Sequence, residues 1–420
     1  MFQLDTILQQ AFPSITSHDI QNTIVQGNAQ SFLLDTTDTS LPHNTKRPLF
    51  VKQVSAENYK SKLWPDLRRT LLYARTEVRF YKDVLPQLQR NEEEAFWSIA
   101  PECHLANYHL EELIDESESA TSSSVPSMVS YTEDEYDVLQ DKGGYLVLES
   151  LQEGYYQTSP LTLTEVQSCL DAIAKFHASA YEQPTLLKSI SSSLCEYAGS
   201  YHLYNRNPKE LDQIDQSWQT FMNNFKSVAP PNFFASPEIQ SLGQRIQKVA
   251  PHVARELSPS HEDSHACIVH GDFKSMNIFL PQESTSSSKE AILIDFASTG
   301  LGLGMSDVAM HMTHALPPSL LDGHEMELVE GYLSSLKRAL PLTKEYPKDV
   351  ALRHYKYAVV DYFRFVLGRF WKSATVDNFE SKKNSKNVVL VNRNLEAALS
   401  FIVRAEGYLK EIEEEMDKAL

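Results

Sequence analysis

The chain has 420 residues and a formal net charge of −18, from 38 basic and 56 acidic residues. This acidic balance disfavours nucleic acid and anionic membranes as partners, because both carry negative charge themselves. A hydrophobic content of 42% is ordinary for a globular chain, so the length suffices for two lobes around a cleft or for two or three domains. Because the net charge is strongly negative, any site in this chain for an anionic ligand such as a nucleotide must be locally cationic.

The chain contains four cysteines, Cys103, Cys169, Cys195 and Cys267. They form no CxxC pair and no repeated spacing, which indicates a reduced intracellular protein. The first residues, MFQLDTILQQAF, lack the basic start and long apolar run of a signal peptide. No apolar run is long enough to span a bilayer. We therefore predict a cytoplasmic protein without a membrane span, and the sequence leaves the oligomeric state open.

The first third of the chain alternates apolar runs with turn residues, which is typical of a small sheet. The predicted strands are 20–26, 31–35, 48–54, 99–108 and 144–148. Gly27 lies in the turn between the first two strands, and Lys52 lies on the third. Apolar residues at helical spacing predict a helix over 66–85 that carries Glu77 and ends before Pro86.

The second part of the chain is predominantly helical from about residue 161. The later predicted helices are 209–226, 238–256, 306–338, 347–373 and 391–418. Between the last two predicted strands, residues 111–141 contain no Lys or Arg and predict an exposed insertion rich in Ser, Glu and Asp. We predict an α+β fold with a smaller lobe of sheet and helix over 1–148 and a larger, mostly helical lobe over 149–420.

One stretch of the chain contains several side chains that could take part in catalysis. It contains HGDFKSMN, in which Asp272 precedes Asn277 by five residues, and the strand LID that follows ends in Asp295. Phosphoryl transfer from a magnesium nucleotide needs one carboxylate to accept the proton of the substrate hydroxyl, and an amide and a second carboxylate to hold the metal. Magnesium prefers oxygen ligands. We therefore predict Asp272 as the base, and Asn277 and Asp295 as metal ligands.

The motifs HGDFKSMN and LIDFAS resemble the catalytic core of the aminoglycoside phosphotransferase and choline kinase-like superfamily, a small-molecule branch of the protein kinase-like fold. The segment Arg75–Tyr81, taken with Pro101–His104, resembles the choline kinase-like and ecdysteroid kinase-like subgroup. The resemblance implies a two-lobed fold, with a nucleotide-binding lobe over 1–148 and a catalytic and substrate lobe over 149–420. It also implies transfer of the γ-phosphate of ATP, with Mg²⁺, to a hydroxyl of a small molecule. A choline-like, a sterol-like and an amino-sugar acceptor all stay open.

The resemblance also implies roles in nucleotide binding. Lys52 matches the lysine that reaches the α- and β-phosphates. Glu77 is available to pair with it, or equally with Arg75, Arg79 or another surface charge. Glu149 and Leu151 match the hinge between the lobes, where backbone groups meet adenine. Gly27 is placed in the turn over the nucleotide, although a single glycine is far from a GxGxxG loop.

Within the catalytic segment, the resemblance implies that His270 orients the loop backbone. Lys274 contacts either the transferred phosphate or solvent. Asp307, after a glycine-rich run, matches an acidic residue that braces the catalytic segment. His311 and His314 lie at helical spacing without an evident third metal ligand, so core or surface positions are favoured for both.

Two other functions are compatible with parts of the sequence. His261-Glu-Asp-Ser-His265 satisfies the zinc-hydrolase pattern HExxH, but Pro259 and Ser260 precede it and helical periodicity is lacking, so a polar loop is predicted. A kinase-like fold can also persist as a catalytically inactive nucleotide- or ligand-binding module. The joint presence of the predicted lysine, base and metal ligands argues against that alternative, and ATP turnover with an acceptor separates the two.

The acceptor site is expected beyond residue 310. The predicted helix 347–373 carries an aromatic and acidic set that either builds an acceptor pocket or belongs to the core: Tyr355, Tyr357, Asp361, Tyr362, Phe365 and Trp371.

Overall fold

The structure is a computed structural model that describes residues 3–26, 29–40, 46–59, 64–90, 99–111, 113–115, 139, 141–282 and 290–418. Its strands are β1 (Ile15–Gln26), β2 (Ala29–Asp38), β3 (Lys46–Ser55), β4 (Cys103–His109), β5 (Gly143–Glu149), β6 (Tyr155–Tyr156), β7 (Ala266–Val269), β8 (Ile278–Pro281), β9 (Ile292–Leu293) and β10 (Gly300–Leu303). Its helices are α1 (Leu4–Ala11), α2 (Trp64–Arg79), α3 (Leu85–Arg90), α4 (Leu163–Ala178), α5 (Pro184–Ile190), α6 (Pro208–Asp212), α7 (Ile214–Phe225), α8 (Pro237–Gln240), α9 (Leu242–Glu256), α10 (Met305–Ala315), α11 (Pro318–Ala339), α12 (Lys348–Arg369), α13 (Val376–Lys382) and α14 (Leu395–Lys418).

The N-terminal part is an antiparallel sheet with the strand order β1-β2-β3-β5-β4 in the described chain. Lys52 lies on β3, opposite Ser31 of β2 and Leu146 of β5. Because side chains alternate across a strand, Leu49 and Val51 point to the face covered by α1, and Lys52 points to the opposite face, toward α2. Hydrogen bonding along both edges of β3 holds Lys52 in place. The predicted α+β fold class is confirmed.

The helix that carries Glu77 does not end where the sequence predicted. After Arg79 the chain makes one π-helical turn over Phe80–Val84, and Leu85 N–H bonds Phe80 O five residues earlier. Helix α3 then continues through Pro86. Pro86 lacks the N–H that the interior of an α-helix requires. The π-turn lies just before Pro86, and its hydrogen bond over five residues instead of four shifts the hydrogen-bond register of the helix there.

Short strands frame the catalytic segment. Strand β7 pairs with β10, and β8 lies between β6 and β9, all antiparallel. The loop from His270 to Asn277 connects β7 to β8, and Asp295 follows β9. Helix α4 begins with a capping box, in which Thr162 Oγ1 accepts from Glu165 N–H and the Glu165 carboxylate accepts from Thr162 N–H.

Aromatic residues fill the centre of the helical region. Phe221 of α7 stacks on Trp371, which follows α12, with ring centroids 4.2 Å apart and planes 18° apart. Phe363 packs edge-on against Trp371 at 5.6 Å. The Trp371 indole N–H donates to Asn392 Oδ1 at 2.8 Å, so this fully buried side chain is also satisfied as a donor. The cluster fixes the C-terminal end of α12.

Several elements predicted as continuous are interrupted in the structure; those over 209–226 and 238–256, for example, are each two helices. Proline explains two other differences. The strand predicted over 99–108 begins only at Cys103, because Pro101 has no N–H for a sheet. The helix predicted over 306–338 is two helices, α10 and α11, separated at Leu316 and Pro317. Proline disfavours helical conformation in the residue before it, so α10 has to end there.

Some predictions fall outside what the structure describes. Gly27 and most of the 111–141 segment are among the residues left undescribed. Of the helices in the described part of the chain, none is long and apolar enough to cross a membrane. The lobe boundary between residues 148 and 149 stays a prediction.

Candidate active site

Lys52, Glu77 and Asp295 meet although they are far apart in sequence. Lys52 Nζ lies 2.7 Å from Glu77 Oε2 and 2.9 Å from Asp295 Oδ1. Glu77 is delivered by α2, which packs against the sheet, and its side chain is almost fully buried. One ammonium group therefore joins the sheet, helix α2 and the segment after β9.

The surroundings stabilise the charged forms of Lys52, Glu77 and Asp295 to different degrees. Burial disfavours charge on Lys52, but the carboxylates of Asp295 and Glu77 outweigh it and raise the pKa of Lys52. Burial also raises the pKa of Glu77, to about 7, against the influence of Lys52. For Asp295 burial acts in the same direction, but Lys52 and Lys274 outweigh it and lower its pKa to about 2. The cluster thus holds Asp295 firmly as an anion.

The backbone of the catalytic loop is held by a buried carboxylate. Asp307 accepts from His270 N–H at 2.6 Å and from Gly271 N–H at 2.9 Å. His177 Nε2 lies 3.1 Å from the same carboxylate, which can only accept, so Nε2 carries the proton and Tyr332 O–H donates to Nδ1 at 2.8 Å. Burial opposes the charge, but the His177 and His270 contacts lower the pKa of Asp307 below its usual range.

Both ring nitrogens of His270 are engaged with backbone. Its Nε2 donates to Ile294 O at 2.9 Å, and its Nδ1 accepts from Asp272 N–H at 3.3 Å. Gly271 between them has a φ of +75°, and a Cβ there would lie 2.3 Å from Ser298 O. The loop therefore requires glycine at this position. With its nitrogens so used, His270 orients the loop backbone in this structure.

Asp272 is held from two sides. Lys274 Nζ donates to its Oδ2 at 2.6 Å, and Asn277 Nδ2 donates to the same oxygen at 3.0 Å and to Asp272 O at 2.9 Å. The Asp272 and Lys274 side chains keep about a quarter of their surface exposed, 25% and 23%. Burial lowers the pKa of Lys274, but Asp272 and Asp295 raise it further, so the net shift is upward. Lys274 therefore remains charged, stabilised by both aspartates.

Asp295 occupies a strained backbone position that aromatic packing fixes. Its φ and ψ are 66° and 61°, a left-handed conformation that Asp and Asn adopt more readily than other side chains. The next residue, Phe296, stacks on Phe80 of the π-turn with centroids 3.9 Å apart and planes 10° apart. The π-turn after α2 thus packs against the residue next to Asp295, the metal-ligand candidate.

The side chains present suit a magnesium site. Both N–H groups of the Asn277 amide point to Asp272, which leaves Oδ1 as the acceptor end of that side chain. Ile294 N–H donates to Asn277 O at 2.9 Å, so Asn277 and the ionised Asp295 lie on adjoining backbone. One amide oxygen and one carboxylate match the few protein ligands that Mg²⁺ takes when phosphates and water supply the others.

The hinge candidates lie at the end of the sheet. Glu149 is paired with Leu49 at the end of β5, and its N–H donates to Glu102 O at 3.0 Å. Its carboxylate accepts from Glu102 N–H, also at 3.0 Å. Leu151, two residues on, is buried. These contacts fix the path of the chain as it leaves the sheet.

A cavity of about 470 Å³ opens beside Asp272 and Lys274. Its apolar walls include Tyr201, Met310, Tyr362, Phe365, Trp371 and Phe379. Its polar lining includes His314, Arg369, Asn378, Lys382 and Asn392. Its volume is in the range of pockets for drug-sized molecules.

The aromatic set predicted on 347–373 divides into two. Tyr362, Phe365 and Trp371 line the cavity. The other three members, Tyr355, Tyr357 and Asp361, lie elsewhere; Asp361, for example, accepts from buried Arg364 at 2.8 Å. Residues of α13 and of 387–392 also line the cavity, and no local motif marks them in the sequence.

The HExxH segment adopts the predicted polar loop. His261 and the following residues form turns rather than a helix. His265 Nδ1 lies 2.6 Å from Tyr181 O–H, and its ring stacks on Tyr346. Among the described residues, no cluster of three or more His, Cys, Asp or Glu side chains could hold a metal ion.

Asp307 gives a stability prediction. Replacing it by Ala strands two buried backbone N–H groups, so we expect a loss of roughly 3 to 5 kcal/mol in the free energy of unfolding. A carboxyl with a lowered pKa stabilises the fold above its unfolded value, and this contribution is lost as pH falls through the folded value. The difference from wild type should therefore be full at neutral pH and shrink in acid. Chemical denaturation at several pH values measures it, and Asp212→Ala, at an exposed position, should change stability by less than about 0.5 kcal/mol. Equal effects of the two substitutions would contradict the bracing role.

The sheet with its Lys–Glu pair and the helical region with its catalytic loop define a protein kinase-like small-molecule kinase fold. The sequence profile of the ecdysteroid kinase-like family matches residues 37–345, and the chain belongs to that family.

Solved structures that match the fold have low sequence identity. A microcompartment-associated aminopropanol kinase is 13% identical, with 99% of this chain and 98% of that chain covered and a TM-score of 0.47. The choline kinase LicA from Streptococcus pneumoniae is 10% identical, with coverages of 95% and 99% and a TM-score of 0.42. A spectinomycin phosphotransferase is 12% identical, with coverages of 97% and 93% and a TM-score of 0.42. Comparison with curated protein sequences gives no match.

Proposed function

We propose that the protein is an ATP-dependent phosphotransferase that moves the γ-phosphate to a hydroxyl group of a small molecule bound in the 470 Å³ cavity. The observation that carries the proposal is the position of Asp272. Its carboxylate lines the cavity, and its partners Lys274 and Asn277 link it to the Asp295 cluster. The acceptor site and the phosphate site therefore share this residue.

In the proposed reaction, the acceptor oxygen forms a bond to the γ-phosphorus while the bond from that phosphorus to the β–γ bridging oxygen breaks. The leaving electrons stay on ADP, and the acceptor proton passes to Asp272. The Asn277 amide and Lys274 both donate to Asp272 Oδ2, so Oδ1 is the oxygen we assign to the acceptor hydroxyl. Because both donors are fixed, little reorganisation is needed when the acceptor binds.

The phosphates are assigned to the cationic side chains. Lys52, held by Glu77, contacts the α- and β-phosphates, and Lys274 contacts the transferred phosphate. Asn277 and Asp295 would hold Mg²⁺, which would neutralise part of the negative charge of the nucleotide phosphates. Adenine contacts the backbone near Glu149 and Leu151. Against a net charge of −18, the two lysines supply the local positive charge that a nucleotide needs.

The test is a screen for ADP release with Mg-ATP and a panel of hydroxylated compounds that includes cations, neutral polyols and apolar alcohols. We expect acceptor-dependent ADP release, and mass spectrometry of the product should show one added phosphate. ATP binding without turnover on any acceptor would instead support the inactive binding module. A screen of this kind also identifies the acceptor class.

A further inference from the structure

Two cationic side chains that line the 470 Å³ cavity are not neutralised by a carboxylate of their own. Arg369 lies in the last turn of α12 and Lys382 in the last turn of α13. The side chain of Lys382 makes no ion pair within the described part of the chain, whereas the next residue, Lys383, pairs with Glu380 at 3.1 Å. Both cavity residues are exposed, so their charged groups lie where the cavity opens to solvent.

The carboxylate beside Arg369 is already neutralised by another arginine. Arg206 donates to both oxygens of Glu210, at 2.6 and 2.8 Å, and these two side chains are only 10% and 15% exposed. Arg369 Nη1 lies 3.6 Å from Glu210 Oε1, beyond hydrogen-bond distance. Burial raises the pKa of Glu210, but Arg206, together with Arg369 and Lys372, lowers it below its usual value. One carboxylate thus faces several cations, and positive charge remains in excess.

The charged lining of the cavity reverses the balance of the whole chain. Asp272 is the one carboxylate among the described residues that line it, and Lys274 is paired with it. Arg369 and Lys382 therefore add uncompensated positive charge, although the chain carries 56 acidic and 38 basic residues. A cationic ligand group would meet no free carboxylate, so its desolvation would not be repaid. An anionic group would meet two available cations.

The two cations adjoin the aromatic wall of the cavity. Arg369 directly precedes Phe370, which packs edge-on against Phe365 with ring centroids 5.3 Å apart. Phe379 lies three residues before Lys382 on α13, and residues at this spacing share a helix face. The cavity can therefore hold an apolar body and keep a charged group of the same ligand at its rim.

We propose that Arg369 and Lys382 bind an anionic oxygen group of the acceptor, a carboxylate or a sulfate, separate from the hydroxyl that is phosphorylated. The acceptor is then a hydroxylated acid with an apolar or aromatic body. Hydrogen bonds between charged partners are stronger than those between neutral ones, so the two side chains determine specificity. The assignment to an acceptor rests on the proposed phosphotransferase function, whereas the excess of positive charge in the cavity does not. Hydroxylated acids accordingly belong in the acceptor screen.

The test uses four probes on one naphthalene scaffold, each with one hydroxyl and a variable group at the same second ring position. That group is a carboxylate, a sulfonate, a carboxamide or an aminomethyl group. The carboxamide has nearly the shape of the carboxylate without its charge, and the sulfonate stands in for a sulfate. Calorimetry at neutral pH gives the Kd of each probe, first without nucleotide and then with a non-hydrolysable ATP analogue.

The variants are Arg369→Gln, Lys382→Gln, the double variant that combines them, and Arg369→Lys, which keeps the charge. Lys383→Gln is the matched control, because Lys383 is exposed, adjoins Lys382 in sequence and does not line the cavity. Asp272 and Lys274 are present in every variant, so the preference that changes belongs to the rim. Thermal unfolding of each variant accompanies the binding measurements.

We expect wild type to bind the carboxylate or the sulfonate at least about 10-fold more tightly than the carboxamide, and the tighter anion identifies the group. The aminomethyl probe should bind more weakly than the carboxamide. The ratio of the carboxamide Kd to the Kd of the tighter anion should fall roughly 2- to 5-fold in each glutamine variant, the range for partly exposed ion pairs. It should lie within about twofold of unity in the double variant, persist largely in Arg369→Lys and stay unchanged in Lys383→Gln. Added salt should lower the wild-type ratio, because exposed charges are screened.

Four results would overturn the inference. They are equal binding of the anions and the carboxamide to wild type, no saturable binding of any probe, a preference for anions that persists in the double variant, and a preference lost when the ATP analogue is bound. The third result would place the anion on Lys274 or another cation, and the fourth would place it in the nucleotide site.

The two proposals fail in different ways. A preference for anions that depends on Arg369 and Lys382, without phosphoryl transfer to any acceptor, would leave the anion site in place and reject the phosphotransferase. Phosphoryl transfer with a probe ratio that ignores both residues would reject only the anion site.

Discussion

Asp272→Asn is expected to lower kcat by about 10³-fold, within the range that a positioned general base supplies. The amide has nearly the shape of the carboxylate but cannot take the proton of the acceptor hydroxyl. Nucleotide contacts are assigned to Lys52 and Asp295, which the substitution does not touch, so the Kd for Mg-ATP should stay within about threefold. Acceptor-dependent ADP release and equilibrium binding of Mg-ATP measure the two quantities.

The control for this experiment is Asp322→Asn, the same chemical change at an exposed position on α11. It should leave both quantities unchanged. Because Lys274 loses its paired carboxylate in Asp272→Asn, a thermal unfolding curve should accompany the kinetics. Activity close to wild type in a folded Asp272→Asn variant would remove Asp272 from the role of base.

Asp295→Asn is expected to remove most of the magnesium dependence of ATP binding. We predict that the ratio of ATP affinity with Mg²⁺ to affinity with a chelator falls roughly 10- to 100-fold, the equivalent of losing one charge-assisted contact. Asparagine is the right substitution, because it tolerates the left-handed backbone at this position. Alanine there would add strain of about 1 to 2 kcal/mol and confuse the result. Titration calorimetry in the two buffers gives the ratio.

The magnesium ratio separates two effects of this substitution. Asp295 also accepts a hydrogen bond from Lys52, so the substitution changes the contacts of that lysine both with Mg²⁺ and with the chelator. Only the loss of a metal ligand changes the ratio of the two ATP affinities. Glu77 continues to hold Lys52. A ratio equal to that of wild type would show that Asp295 is a structural ion-pair partner rather than a metal ligand.

The catalytic residues could be proposed from the sequence because their signal is local. Asp272, Asn277 and Asp295 occur within 24 residues, in the loop before β8 and just after β9. The Ile294–Asn277 backbone hydrogen bond joins these two segments in the structure. The Lys52–Glu77 contact was a weaker expectation, since Arg75 and Arg79 offered alternative partners for Glu77. The 2.7 Å contact decided between them in this structure.

Other features could not be read from local patterns. The π-turn at Phe80–Val84 and the stacking of Phe296 on Phe80 depend on how two distant segments pack. The break between α10 and α11 was not predicted, because the apolar periodicity continues across Leu316 and Pro317. Periodicity reports which face of a helix is buried, but it does not show where a missing N–H ends the helix.

The sequence by itself determined the α+β class, the family resemblance and the residues proposed for phosphoryl transfer, because these depend on short motifs and on local apolar spacing. Only the tertiary structure decided the acceptor cavity. Its walls come from Tyr201, the catalytic loop, α10, the end of α12 and residues 373–392, which no sequence pattern connects. The same packing placed His314 in the wall of that cavity, whereas its spacing in the sequence favoured a core or surface position.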